Sequence, residues 1–115
     1  MTLIEKQQAF ALFVADLIQH ADALGYAVTI GETWRSPEEA ARQAKADKGI
    51  KRSLHGSRLA IDLNLFKDGK YLRKTEDYQA LGEWWEAQSI GDLECCWGGR
   101  FGDGNHFSIE HGGRK

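Results

Sequence analysis

Residues 60–72 read AIDLNLFKDGKYL, and this stretch decides the fold. Ile61, Leu63 and Leu65 alternate with Asp62 and Asn64, the period of a strand with one buried face and one polar face. Asp68-Gly69 is a two-residue hairpin signal, and it returns the chain through Lys70, Tyr71 and Leu72. A sheet with one apolar side needs a cover, and the sequence supplies helices on both sides of this stretch.

Upstream, Thr2 and Glu5 have capping-box spacing. After them Leu3, Phe10, Leu17 and Leu24, with Phe13, Val14, Ile18 and Ala21, draw one apolar helical stripe that ends at Gly25. Tyr26, Val28 and Ile30 then alternate as a short strand. Ser36 and Pro37 open a second helix expected to run to about Gly49. Downstream, Thr75 is placed to cap a third helix that carries Tyr78, Leu81, Trp84 and Trp85 and stops near Gly91. A last strand alternates Phe107 and Ile109 with His106, Ser108 and Glu110. Six of the 13 glycines lie between Gly98 and Gly113, which marks a loop-rich end with room for a tight functional turn. The expected architecture is α+β, a small antiparallel sheet packed with about three helices, in a single domain over residues 1–115.

The totals narrow the function classes. With 115 residues the chain supports one core. Its 15 basic and 17 acidic side chains give a net charge of -2, which argues against a broad nucleic-acid footprint. No apolar run approaches the roughly 20 residues of a membrane helix, and the early Glu5 and Lys6 argue against a cleavable signal. Cys95 and Cys96 are adjacent, so no disulfide framework is available and a reducing compartment is expected. Such a chain is expected to be a monomer without membrane insertion.

Four residues stand out for chemistry: His55, Asp62, Asp103 and His106. His55 and Asp62 converge only if His55 sits in a turn, and Gly56-Ser57 supplies one. Asp62 and His106 each fall on the polar face of a strand whose other face is apolar. Asp103, within Gly102-Asp103-Gly104-Asn105, can turn toward the same spot. Two histidines and an aspartate suit Zn2+ with a fourth position left for water.

Three segments carry a resemblance. Ser53-Leu54-His55 with Leu59-Ala60-Ile61-Asp62-Leu63-Asn64, and Asp103-Gly104-Asn105-His106-Phe107, resemble the zinc peptidases of the D-alanyl-D-alanine carboxypeptidase family. Within it the similarity is strongest to small phage L-alanyl-D-glutamate endopeptidases, which cut the stem peptide of peptidoglycan. Thr33-Trp34-Arg35-Ser36 and Trp97-Gly98-Gly99 extend the likeness. The resemblance implies a hedgehog/DD-peptidase-like fold with zinc on the open face of the sheet, held by His55, Asp62 and His106. It implies that Asp103 is the general base, that Arg35 presents a positive charge to the substrate, and that Ser53 lies at the site's edge. Many relatives have glycine where this chain has Arg58, and other branches have glutamate where it has Asp103.

The same reading expects a lysis enzyme made in the host cytoplasm without a signal peptide, reaching the wall once the inner membrane is opened. No separate wall-binding domain is expected. Rival readings are a D,D- or L,D-carboxypeptidase, or an inactive zinc-binding module that recognises the wall. Trp97, beside the glycine loop, is the cleft candidate among the tryptophans, whereas Trp84 and Trp85 at helical spacing belong to the core. Lys45, Lys48, Lys51, Arg52 and Arg58 form a basic run that suits either a solvated helix end or an anionic wall. Cys95 and Cys96 lack the two-residue spacer of zinc thiolates and read as small buried residues. His20 and His111 show no partner in the sequence.

Overall fold

The computed structural model describes residues 1–45 and 54–115. Helix α1 (Leu3–Ala23) opens with the expected capping box, in which the Thr2 hydroxyl accepts from the Glu5 N–H and the Glu5 carboxylate accepts from the Thr2 N–H. It closes in a Schellman turn: Tyr26 N–H donates to the Ala21 carbonyl and Gly25 N–H to that of Asp22, with Gly25 at φ +92°. The stripe is buried at Phe10, Leu17 and Ala21, while Leu3 and Leu24 stay exposed.

Strand β1 (Ala27–Ile30) follows, then α2 (Pro37–Lys45), whose first turn is capped by the Ser36 hydroxyl accepting from Glu39 N–H at 3.1 Å. The expected continuation of α2 to Gly49 lies outside the described residues, as do Ser53, Lys48, Lys51 and Arg52. Strands β2 (Ala60–Lys67) and β3 (Lys70–Tyr71) form the hairpin, with Asp68 at φ +53° and Gly69 at φ +76°. A two-residue loop with both φ angles positive matches the right-handed twist of its strands.

The third helix differs from expectation at its start. Residues 75–78 form a 3-10 turn, and Lys74 rather than Thr75 is the cap residue, its N–H donating to the Asp77 carboxylate at 3.2 Å. Helix α3 (Gln79–Ala87) continues from there. Strand β4 (Cys95–Trp97), absent from the sequence reading, precedes β5 (His106–Ile109). It escaped because all three of its residues are buried and none alternates.

All strand pairs are antiparallel, in the order β1-β2-β5-β4, with β3 paired to the end of β2. Beneath the sheet, Trp85 of α3 is the hub. Its ring meets Phe10, Phe13 and Phe107 edge-on at 6.1, 6.3 and 6.1 Å, and its indole N–H donates to the carbonyls of Cys96 and Ser108. One side chain thus ties α1 and α3 to β4 and β5. Among the described residues no helix is long and apolar enough to cross a membrane.

Candidate metal centre

Strand pairing sets the first two members of the site. Asp62 on β2 is the register partner of His106 on β5, and Ile61 opposite Phe107 faces the core, so Asp62 and His106 share the face away from the helices. His55 reaches them from a 3-10 turn over Leu54–Ser57, so the turn expected around Gly56 is present. That turn is fastened to the 31–35 segment. Gly31 and Glu32 extend alongside β2, exchanging backbone bonds with Asp62, and Arg35 N–H donates to the His55 carbonyl at 3.2 Å.

The three side chains converge. Their ligand-type atoms all lie within 4.8 Å of one another. Asp62 Oδ1 is 3.3 Å from His55 Nε2 and 3.4 Å from His106 Nδ1. Yet Asp62 Oδ1 is a buried acceptor without a hydrogen-bond partner among the described residues. A buried oxygen left unsatisfied between two imidazole nitrogens costs free energy unless a cation sits among them. Two histidines and a carboxylate are a donor set that fits zinc with one open position. Burial alone raises the Asp62 carboxyl, but His106 and His55 outweigh it and hold the group at about 2, so it is ionised and ready to bind a cation.

The outer ring nitrogens are also engaged. His55 Nδ1 lies 3.4 Å from the Thr33 carbonyl oxygen and 3.6 Å from Glu32 Oε1, which leaves Nε2 to face Asp62. His106 Nε2 lies 3.4 Å from the main-chain oxygen of Lys115, leaving Nδ1 to face Asp62. The two histidines therefore present opposite ring nitrogens, each orientation set by a neighbouring acceptor.

Asp103 is held beside this cluster by its loop. Its N–H donates to the Gly98 carbonyl at 2.9 Å, its own carbonyl accepts from His106 N–H at 3.2 Å, and the Trp97 indole donates to the Gly104 carbonyl at 2.7 Å. Partial withdrawal of the carboxyl from water raises its pKa; His106 and His55 oppose that rise and Asp62 adds to it. Asp103 is thus in the field of all three cluster members without being one of them.

Two further expected site residues, Trp97 and Arg35, are largely enclosed. Trp97 is 4% exposed, its ring pressed between Gly82 of α3 and Gly99, so it forms the floor under the glycine loop rather than a cleft wall. Arg35 is engaged through its Nε with Glu32 at 2.9 Å and through a second, shorter contact with the same oxygen, and its side chain is 11% exposed. That contact sets the Arg35 guanidinium beside the carboxylate that faces His55. The sequence reading missed Glu32, whose signal was a carboxylate three residues before an arginine in the segment leading to the first histidine. Arg58 holds φ +56°, a conformation that favours glycine, with its guanidinium 4.7 Å from the Trp34 ring centroid. His20 stacks on Trp84 at 4.2 Å, and His111 Nδ1 lies 3.4 Å from Lys6 Nζ.

A small α+β domain whose sheet brings two buried histidines and a half-buried aspartate together on the face away from its helices, with a second carboxylate alongside, has the make-up of a site that could hold one metal ion. A family model described as D-alanyl-D-alanine carboxypeptidase matches residues 46–109, more than half of the chain and the whole of the cluster with Asp103. The chain belongs to that family, whose peptidases act on peptidoglycan. No curated protein gives a significant match.

Proposed function

We propose that this protein is a zinc-dependent peptidase that cuts the peptidoglycan stem peptide internally, between L-alanine and D-glutamate, in the service of phage lysis. The observation that carries the zinc reading is the unsatisfied Asp62 Oδ1, buried between His55 Nε2 and His106 Nδ1 in a chain of a peptidase family. His55, Asp62 and His106 would hold the ion. When bound, zinc supplies Lewis acidity toward the scissile carbonyl and makes a water acidic near neutral pH. Asp103, beside the cluster, accepts that water's proton and returns it to the departing amine. The Thr33 carbonyl and the main-chain oxygen of Lys115 hold His55 and His106 in their rotations.

An internal cut is supported by the shortness of the surrounding connections. A two-residue turn joins β2 to β3, and a single 3-10 turn over Gly98–Phe101 leads toward Asp103, so these two connections, among the described residues, leave little material to close one end of a groove. The test is mass spectrometry of peptidoglycan digested with and without a chelator. New L-alanine carboxyl and D-glutamate amino termini that vanish with chelator are expected. Release of terminal D-alanine instead would assign a carboxypeptidase, and cleavage indifferent to chelator would refute the zinc mechanism.

A further inference from the structure

A polar cavity of about 150 Å³ opens beside Asp103, lined by Tyr71, Arg73, Thr75, Gly102, Gly104 and Asn105 as well as Asp103 itself. It connects to the metal centre through the fold. Asn105 immediately precedes His106, and its side-chain amide donates to Asn64 Oδ1 at 3.2 Å. Asn64 lies two residues beyond Asp62 on the same face of β2, about 7 Å along the strand. Tyr71 closes the row, its hydroxyl 3.5 Å from the same Asn64 oxygen.

Arg73 is the one cation among the lining residues. It is exposed, and among the described residues no carboxylate lies within ion-pair distance of it. Its guanidinium lies 5.3 Å from the Tyr71 ring centroid, an arrangement that restrains the planar group while leaving N–H donors at its edge free. Arg35 is in the opposite condition, bound to Glu32 and nearly enclosed. The other ionisable groups facing the cavity are the Asp103 carboxylate and the phenols of Tyr71 and Tyr78, so it has an acidic end toward the metal centre and a basic end at Arg73.

We infer that Arg73 and this cavity form the subsite for a free carboxylate of the peptide substrate, carried within one or two residues of the scissile bond. The reach fits, because an extended peptide advances about 3.3 to 3.6 Å per residue and the cavity is lined at one end by Asp103, which lies in the field of the cluster. A stem peptide offers two sources of such a carboxylate, the α-carboxyl of a γ-linked glutamate and the terminal carboxyl. The inference rests on the peptidase reading above.

The test compares three synthetic stem peptides with the zinc-loaded full chain: the free acid, the glutamate α-amide, and the C-terminal amide. The wild type should prefer the free acid over one of the two amides by about tenfold to a hundredfold in kcat/KM, the range of one charge-assisted bidentate pair. Whichever amide suffers names the source. Arg73→Gln should abolish the preference for the free acid over that amide, and Arg73→Lys should recover part of it. A wild type that cleaves all three alike, or an Arg73→Gln variant that keeps the preference, overturns the subsite and leaves the peptidase reading standing. If none of the three is cleaved while whole peptidoglycan is digested in a chelator-sensitive way, the subsite is likewise overturned. Failure to digest either overturns the peptidase reading itself. Because Arg73 is exposed on a loop, the variants should melt with the wild type.

Discussion

Behind His55 the side chains form a relay, from the Arg35 guanidinium to Glu32 and from Glu32 to the histidine's Nδ1. A carboxylate behind a metal-ligating imidazole raises its basicity and fixes its rotation. Glu32→Gln should therefore weaken zinc binding about tenfold, read by competition with a fluorescent chelator, while turnover at saturating zinc changes little. Unchanged affinity would reduce Glu32 to an anchor for Arg35. Asp103→Asn should do the reverse, keeping zinc affinity and lowering kcat by a factor of about 100 or more, the contribution of a positioned general base. A single-turnover assay on zinc-titrated protein separates the two, and an Asp103→Asn protein that turns over normally would remove the residue from the mechanism.

At the scale of elements, the glycines of the 98–104 loop show why part of the site was legible and part was not. A Cβ at Gly98 would overlap the Asp103 carbonyl and come within 2.6 Å of His106 Cβ, and one at Gly104 would lie 2.7 Å from the Thr75 Cα. Gly98→Ala is expected to push Asp103 away from the cluster, costing activity more than stability. By contrast, Gly82→Ala drives a methyl into the Trp97 ring and should destabilise by about 1–3 kcal/mol, measured by urea unfolding. Composition revealed that the loop was special but not which neighbour each glycine makes room for, and so Trp97 reads as a cleft residue until its packing against Gly82 and Gly99 is seen. The Thr2–Glu5 box and the Asp68-Gly69 turn were legible because their signals are local. Strand β4 was not, since its burial comes from pairing with β5 and packing on α3, neither of which its own three residues encode. The His–Asp–His cluster stood between these cases: each residue type was ordinary alone, and alternation placed Asp62 and His106 on polar faces without fixing that they are register partners.

Burial in β4 also sets an alkaline limit. The Cys95 thiol is pushed up to about 11 by its burial, and that of Cys96 to about 12 by burial and the adjoining Glu94 carboxylate. A folded pKa raised above the unfolded value of about 9 contributes stability that is whole below pH 9 and is lost as pH rises through 11 to 12. Melting temperature should fall across that window, and alanine at both positions should flatten the decline. Neither thiol should react with a disulfide reagent at pH 8 until the protein is unfolded.

For the molecule as a whole, the cluster joins three separately placed parts of the chain: the turn before β2, β2 itself, and β5. The unfolded chain cannot assemble these side chains, so zinc held by the proposed site would bind the native state preferentially and add RT ln(1 + [Zn]/Kd) to its stability. At free zinc one hundred times Kd that is about 2.7 kcal/mol, which for a domain of this size raises Tm by about 10 °C. Calorimetry or thermal-shift fluorescence with buffered zinc reads it without any substrate. Asp103→Asn should show the full rise, because that carboxylate lies outside the ligand set, whereas His106→Ala should show little or none. A His106→Ala protein that still rises by about 10 °C would place the metal elsewhere, and a wild type that does not rise would mean that Asp62 Oδ1 is left unsatisfied for a reason other than zinc.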